Sequence, residues 1–184
     1  AKSVAERVVV FKGMTEKAKT TISNRSRKLF TLSSIYQATS RLLQKGKEEG
    51  VLKREEDLAV DFWNEVAGHI PEWKLAKEGH IPSHELRSDF IHAHGIALQC
   101  LANCGVEILK YPKSEWKKRL AGLQKVDWQR SNSKIWEGRA LVGGRVSKSA
   151  NNVVLASNVL KTALGIPLNA SEEKVETLYQ QGKT

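Results

Sequence analysis

The chain has 184 residues, 40 % of them apolar and 27 % charged, a balance that supports a packed core and excludes an intrinsically disordered segment. No stretch reaches the roughly 18 apolar residues that a bilayer-spanning helix needs, and the N-terminus has no signal-peptide pattern, so a soluble, cytoplasmic protein is expected. The formal net charge of +10 exceeds what a domain of this size carries for solubility and points to an anionic partner.

Apolar spacing predicts a mainly α, single compact domain of about six helices. The start at Ala1, with Val8, Val9, Val10 and Phe11 close behind, reads as a cut inside a longer protein. Residues 1–23 are then a linker or the end of a preceding domain, 24–170 the helical core and 171–184 a terminal helix. The first helix is predicted from Ser26, with Leu29, Leu32, Tyr36, Leu42 and Leu43 on one face and Gly46 and Gly50 beyond its end. A second runs from about Glu55 to Gly68 on a stripe of Leu58, Phe62, Trp63 and Val66. Its first-turn acids Glu55, Glu56 and Asp57 suit the helix dipole.

Ser83 is read as the N-cap of the longest helix, in which Leu86, Phe90, Ala93, Ala97, Leu101, Cys104 and Ile108 recur every three or four residues. The two cysteines, Cys100 and Cys104, fall within this pattern and read as buried and reduced. A shorter helix from about Ser114 turns Trp116, Leu120 and Leu123 inward and Lys117, Lys118 and Arg119 outward. Residues 126–149 then form a long, Gly-containing basic loop. Helix resumes near Ala150, with Val153, Val154, Leu160 and Leu164 inward, and again from Ser171, with Val175 and Leu178 inward.

Charge is blocked along the chain. Residues 1–47 hold eleven Lys and Arg against two acids, 48–109 five against twelve, 110–148 eleven against three, and 149–184 three of each. The segments run +9, −7, +8 and 0, so the two positive blocks are candidates for one composite patch after folding. In the first, Arg25, Arg27 and Lys28 stand at the predicted start of a helix, where a bound phosphate would offset their clash with the dipole. In the second, Lys117, Lys118, Arg130, Asn132, Lys134, Arg139, Arg145 and Lys148 combine guanidinium, ammonium and amide donors suited to phosphate. Trp128 and Trp136 within that loop read as core anchors in preference to base-stacking faces.

Several motifs fail on inspection. Around Lys148-Ser149 a phosphate-binding P-loop would require glycines where Val142 and Ser147 stand, which leaves a flexible anion-binding turn as the reading of Gly143-Gly144. His84-Glu85 lacks the second histidine of a zinc-protease helix, since Ser88 occupies that position. His92 and His94, two apart, point in different directions on a helix; His94-Gly95 reads as a tight helix crossing. Glu85, Arg87 and Asp89 read as an internal ion pair. No nucleophile with an adjacent base stands out, so neither catalytic residues, metal nor cofactor is assigned.

The run from Asn24-Arg25-Ser26-Arg27-Lys28 to Ala38-Thr39 resembles a segment of the DndB proteins of bacterial DNA phosphorothioation systems. So do Glu85-Leu86-Arg87 leading to His94-Gly95, Val126-Asp127-Trp128 with Arg130 and Asn132, and Trp136-Glu137-Gly138-Arg139-Ala140 followed by Gly144-Arg145 and Ser147-Lys148. The resemblance spans roughly residues 4–165 in consistent order and lacks the family's N-terminal Asp-Gly-Gln-His-Arg domain. It implies a regulator of DNA sulfur-modification genes that binds promoter DNA. Double-stranded DNA is then the expected partner, with a second copy of the chain or other components of the system as further candidates. Two rival readings remain: a protein-interaction module docking through the acidic stretch 48–78, and an accessory ATPase whose chemistry lies elsewhere.

Overall fold

In the computed structural model, which describes residues 2–46 and 49–182, the chain is mainly helical. Helix α1 (Lys2–Arg7) and the turns after it bury Val4, Val8, Val10 and Phe11 in the common core. Part of the stretch expected to be a linker or the end of a preceding domain thus packs into the common core. A two-residue strand β1 (Thr15–Glu16) pairs in parallel with β2 (Phe30–Thr31), tying off the 17–29 loop at its neck.

Helix α2 (Leu32–Leu42) follows directly, with Thr31 as its N-cap; the Thr31 hydroxyl accepts the amide of Ser34 at 3.1 Å. The helix therefore begins six residues later than Ser26, because Phe30-Thr31 is taken up in strand pairing. Its buried face is Ile35, Ala38, Thr39 and Leu42, while Tyr36 turns outward. Next come α3 (Lys53–Gly68), which buries Phe62, Trp63 and Val66 as predicted, and an unanticipated α4 (Pro71–Lys77) that buries Trp73. Pro71 opens α4 because a helix start needs no N–H there.

The predicted spine is broken into α5 (Ser83–Asp89), a short 3-10 turn (Ile91–Ala93) and α6 (Gly95–Ile108). Ser83 is the first residue of α5, and its hydroxyl donates to Arg27 O at 2.7 Å instead of capping the helix. The break has a tertiary cause: Ile91 N donates to Trp128 O and Arg130 N to Asp89 O, both at 2.8 Å, so Phe90 is drawn into extended pairing with Gln129. These bonds override a helical pattern that the sequence carries unbroken.

Helix α6 packs between α2 and α9 (Ala150–Ala163). It is apolar on nearly every face, as a central helix must be. Cys100 and Cys104 are buried in it as free thiols, and burial pushes the Cys100 thiol up to about 12, which makes it a poor nucleophile. At the α2 crossing, a methyl group on Gly105 would fall 2.6 Å from Phe62 and against Leu42. Gly105→Ala is accordingly expected to destabilise the fold by about 1–3 kcal/mol in a urea titration, the cost of overpacking a filled core.

The remaining elements are α7 (Lys113–Leu120), a four-residue α8 (Ser133–Trp136), an antiparallel hairpin of β3 (Leu141–Val142) and β4 (Arg145–Val146), and α10 (Ala170–Gln181). Within the 126–149 stretch Trp136 and Trp128 are both buried, their rings stacked 5.8 Å apart. That is the anchoring role expected of them. Helix α10 buries none of its residues, and Leu178 is exposed. It docks through polar groups: Lys161 on Glu172, Arg139 on Glu176, and the Tyr179 hydroxyl on Glu137 O. No helix among the described residues is long and apolar enough to cross a membrane.

Candidate functional site

One side chain makes several of the contacts that hold the 17–29 loop. Arg87 on α5 donates to the carbonyls of Lys28 (2.7 Å) and Ser26 (3.0 Å), and at longer range to those of Ser23 and Asn24. Arg87 was expected to pair with Glu85 or Asp89. Instead its planar fork of donors organises backbone, and no carboxylate among the described residues pairs with it. Arg130 repeats the device from the second basic block, donating to Arg87 O at 2.8 Å and Gly144 O at 3.0 Å.

Between these groups lies a cavity of about 420 Å³. Its walls are the loop residues Thr20, Thr21, Ile22 and Asn24, the first turn of α2 with its cap (Thr31 and Ser34), α5, and His94-Gly95 at the start of α6; Arg130 and Lys148 close it. Uncharged residues of the first positive block face Arg130 and Lys148 of the second here, across Arg87 of the acidic segment; Arg25, Arg27 and Lys28 of the first block do not line the cavity. Gly95 makes the approach close: a methyl group there would come within 2.6 Å of Ser34 Oγ and 3.8 Å of Lys148 Nζ. The tight crossing expected at His94-Gly95 is present, and any side chain larger than hydrogen at Gly95 crowds the floor of the cavity.

The cavity is cationic by construction. Among the described residues no carboxylate stands within ion-pair distance of Arg87, Arg130 or Lys148. The N-terminus of α6 also opens here, and its N-cap His94 offers no side-chain acceptor to the first amides. The His94 Nε2 lies 2.8 Å from Arg87 O, a pairing that requires Nε2 to carry the proton. Burial, reinforced by the charges of Arg130, Arg87 and Lys148, lowers its pKa to about 4, so the ring is neutral near pH 7.

His92, fully buried against Phe90, Trp73 and Trp128, is likewise lowered to about 3 by burial. Its 3.6 Å approach to Glu72 is therefore a contact of a neutral ring and not an ion pair. As pH falls below about 6.5 the unfolded chain protonates both histidines while the folded chain does not, so stability drops with pH until about pH 4 for His94 and 3 for His92. Urea midpoints are expected to decline steadily between pH 7 and 4, and less steeply in His92→Asn.

The fates of the other candidates differ. Arg25, Arg27, Lys117, Lys118 and Arg145 are exposed, as is Lys134, which lines a separate groove with Arg139 and Glu176. Arg25 and Arg27 sit in the loop ahead of β2, not on a helix, so the expected conflict with a helix dipole does not arise. Lys28 donates to Gly13 O at 2.7 Å. Asn132 has a local role: its side-chain oxygen accepts Ile135 N and its amide donates to Asp127 at 2.8 Å. Arg139 is buried, with its guanidinium on Glu176 and Leu155 O, and so is withdrawn from any outside phosphate.

The Gly143-Gly144 turn is also occupied. Both residues have positive φ, as a two-residue hairpin turn requires, but their amides point at the Glu137 carboxylate. The turn expected to be a flexible anion site is thus ordered around an internal anion. Sequence reasoning missed Arg87, Ser34 and the Thr20-Thr21 wall. A legible signal existed for Arg87 alone, in a cation lying within an acidic block beside His94-Gly95.

The family model for DndB, described as DNA-sulfur modification-associated, matches residues 1–167 of the chain. No curated protein and no solved structure matches.

Proposed function

The chain belongs to the DndB family of DNA-sulfur modification-associated proteins, and from that premise we propose that it is a DNA-binding regulator of the sulfur-modification genes, gripping double-stranded DNA mainly by its phosphates. The observation that carries this reading is the set of exposed cations in the two basic blocks that have no acidic partner among the described residues. Contacts with phosphate depend on charge that the protein has not already neutralised, and the ion pairs sort the cations into two sets. Arg7, Lys45, Lys53 and Lys113 are consumed by Glu55, Glu56, Asp57 and Asp61 of the acidic segment. Arg25, Arg27, Lys117, Lys118, Arg145 and Lys148 remain exposed for DNA, with Arg130 at the cavity rim.

The same sorting weighs against the interaction-module reading. Five of the nine acids of the 48–78 stretch, Glu55, Glu56, Asp57, Asp61 and Glu78, already have cations from their own chain, which reduces the charge left to attract a basic partner. Filter binding of the protein to duplex DNA tests the proposal: saturable binding that weakens with added salt supports it, and no binding at 50 mM salt rejects it. Size-exclusion chromatography with light scattering, at low and high salt, separates monomeric binding from binding by a pair of copies.

A further inference from the structure

A duplex backbone is gripped by side chains that protrude; a recess calls for a different occupant. The cavity between the 17–29 loop, α2, α5 and α6 is a recess, at about 420 Å³ within the range of about 300–1,000 Å³ usual for pockets that enclose a small ligand. A single backbone phosphate would leave most of it empty. Its lining is two-sided. Lys148, Arg130 and the uncapped first turn of α6 mark one wall, whereas Ile22, Phe30 and Ala93 contribute apolar surface elsewhere.

A ligand matching this lining has a compact anionic head on a body that is part apolar and part hydrogen-bonding. We propose that the cavity seats one nucleotide, with its 5′-phosphate against Lys148, Arg130 and the start of α6 and its nucleoside along the Thr20–Asn24 wall. The proposal rests on the nucleic-acid reading above for the class of ligand, and on the cavity for its size. The phosphate head is favoured over a carboxylate by the number of donors in the lining: the Arg130 guanidinium, which also holds Arg87 O and Gly144 O, the Lys148 ammonium, the Ser34 hydroxyl, which also pairs with Thr31, and Gly95 at the start of α6. Neutral His94, whose Nε2–H is taken by Arg87 O, adds no charge and leaves Nδ1 as an acceptor. Two sources share this chemistry, a free mononucleotide and the terminal nucleotide of a strand bearing a 5′-phosphate.

The test uses the full chain. Deoxynucleoside 5′-monophosphates and inorganic phosphate are titrated by calorimetry; anisotropy then compares a labelled single strand carrying a 5′-phosphate with the same strand carrying a 5′-hydroxyl. One-to-one mononucleotide binding at least tenfold tighter than phosphate, weakened at least tenfold in Lys148→Ala, is expected. A tenfold preference for the 5′-phosphorylated strand, competed away by mononucleotide, identifies a strand end as the source; mononucleotide binding without that preference identifies the free nucleotide. Gly95→Ala should weaken either one by filling the floor, and a thermal melt reports whether that variant folds; Lys148 is exposed, so its variant keeps the comparison valid if Gly95→Ala does not. Mononucleotide binding no tighter than phosphate, or binding indifferent to Lys148→Ala, overturns the proposal. If duplex DNA is still bound in that case, the seat fails and the regulator reading stands. If duplex binding is absent while mononucleotide binds, the reverse holds.

Discussion

DNA affinity is expected to fall about a thousandfold between 50 and 200 mM salt. Each phosphate neutralised on B-DNA releases condensed counterions, which gives a log–log slope of roughly −0.9 per contact. With six of the exposed, acid-free cations engaged the slope is about −5, and a fourfold rise in salt multiplies accordingly. Anisotropy titrations at several salt concentrations measure this directly. A slope near zero would mean that the positive blocks do not meet DNA at all.

The second large effect separates folding from binding. Arg139 lies in the second basic block and was expected to touch DNA, yet its guanidinium is buried between Glu176, Leu155 O and the Tyr179 ring, 4.3 Å from the ring centre. Arg139→Ala leaves the half-buried Glu176 carboxylate without its cation and detaches the main anchor of α10. The expected loss is about 2–4 kcal/mol in a urea titration, somewhat below the usual cost of breaking a fully buried pair because Glu176 keeps 23 % of its side-chain exposure. The protein that remains folded should bind DNA as the unaltered chain does. A pH series adds a check: the Arg139 guanidinium holds the Glu176 carboxyl down to about 2, so the pair's contribution is complete above about pH 4.5 and fades toward pH 2. That acid-dependent component should vanish from Arg139→Ala.

Helix content was readable wherever apolar periodicity and packing agreed, as in α3, α7 and α9. It was misread where tertiary pairing prevailed. Nothing in the pattern from Leu86 to Ile108 announces that Asp89 and Ile91 will pair with the 128–130 segment; the break is decided by residues about 40 positions away. Helix α10 shows the opposite limit: Val175 and Leu178 supply an apolar spacing, but the helix is docked by Glu172, Glu176 and Tyr179, whose partners lie far off in sequence.

The candidate site was half legible. Charge blocking located both basic segments, and Arg130 and Lys148 do line the cavity. The sequence could not show which cations would be neutralised from within. Arg7 and Lys113 belong to the same blocks as Arg27 and Lys148 but face acids across the fold. Nor could it show that Arg87, from the acidic block, would bind loop carbonyls and shape the recess.

The claim at the centre is that the exposed, unpaired cations of the two blocks carry the grip on DNA, and paired ones do not. Lys148→Ala and Lys53→Ala remove one exposed ammonium each, the first without an acidic partner among the described residues and the second already paired with Glu56 and Asp57. Comparing their salt slopes on one duplex tests the claim most directly. Lys148→Ala should reduce the slope by about 1 and Lys53→Ala should leave it unchanged; equal slopes for the two variants would contradict the account.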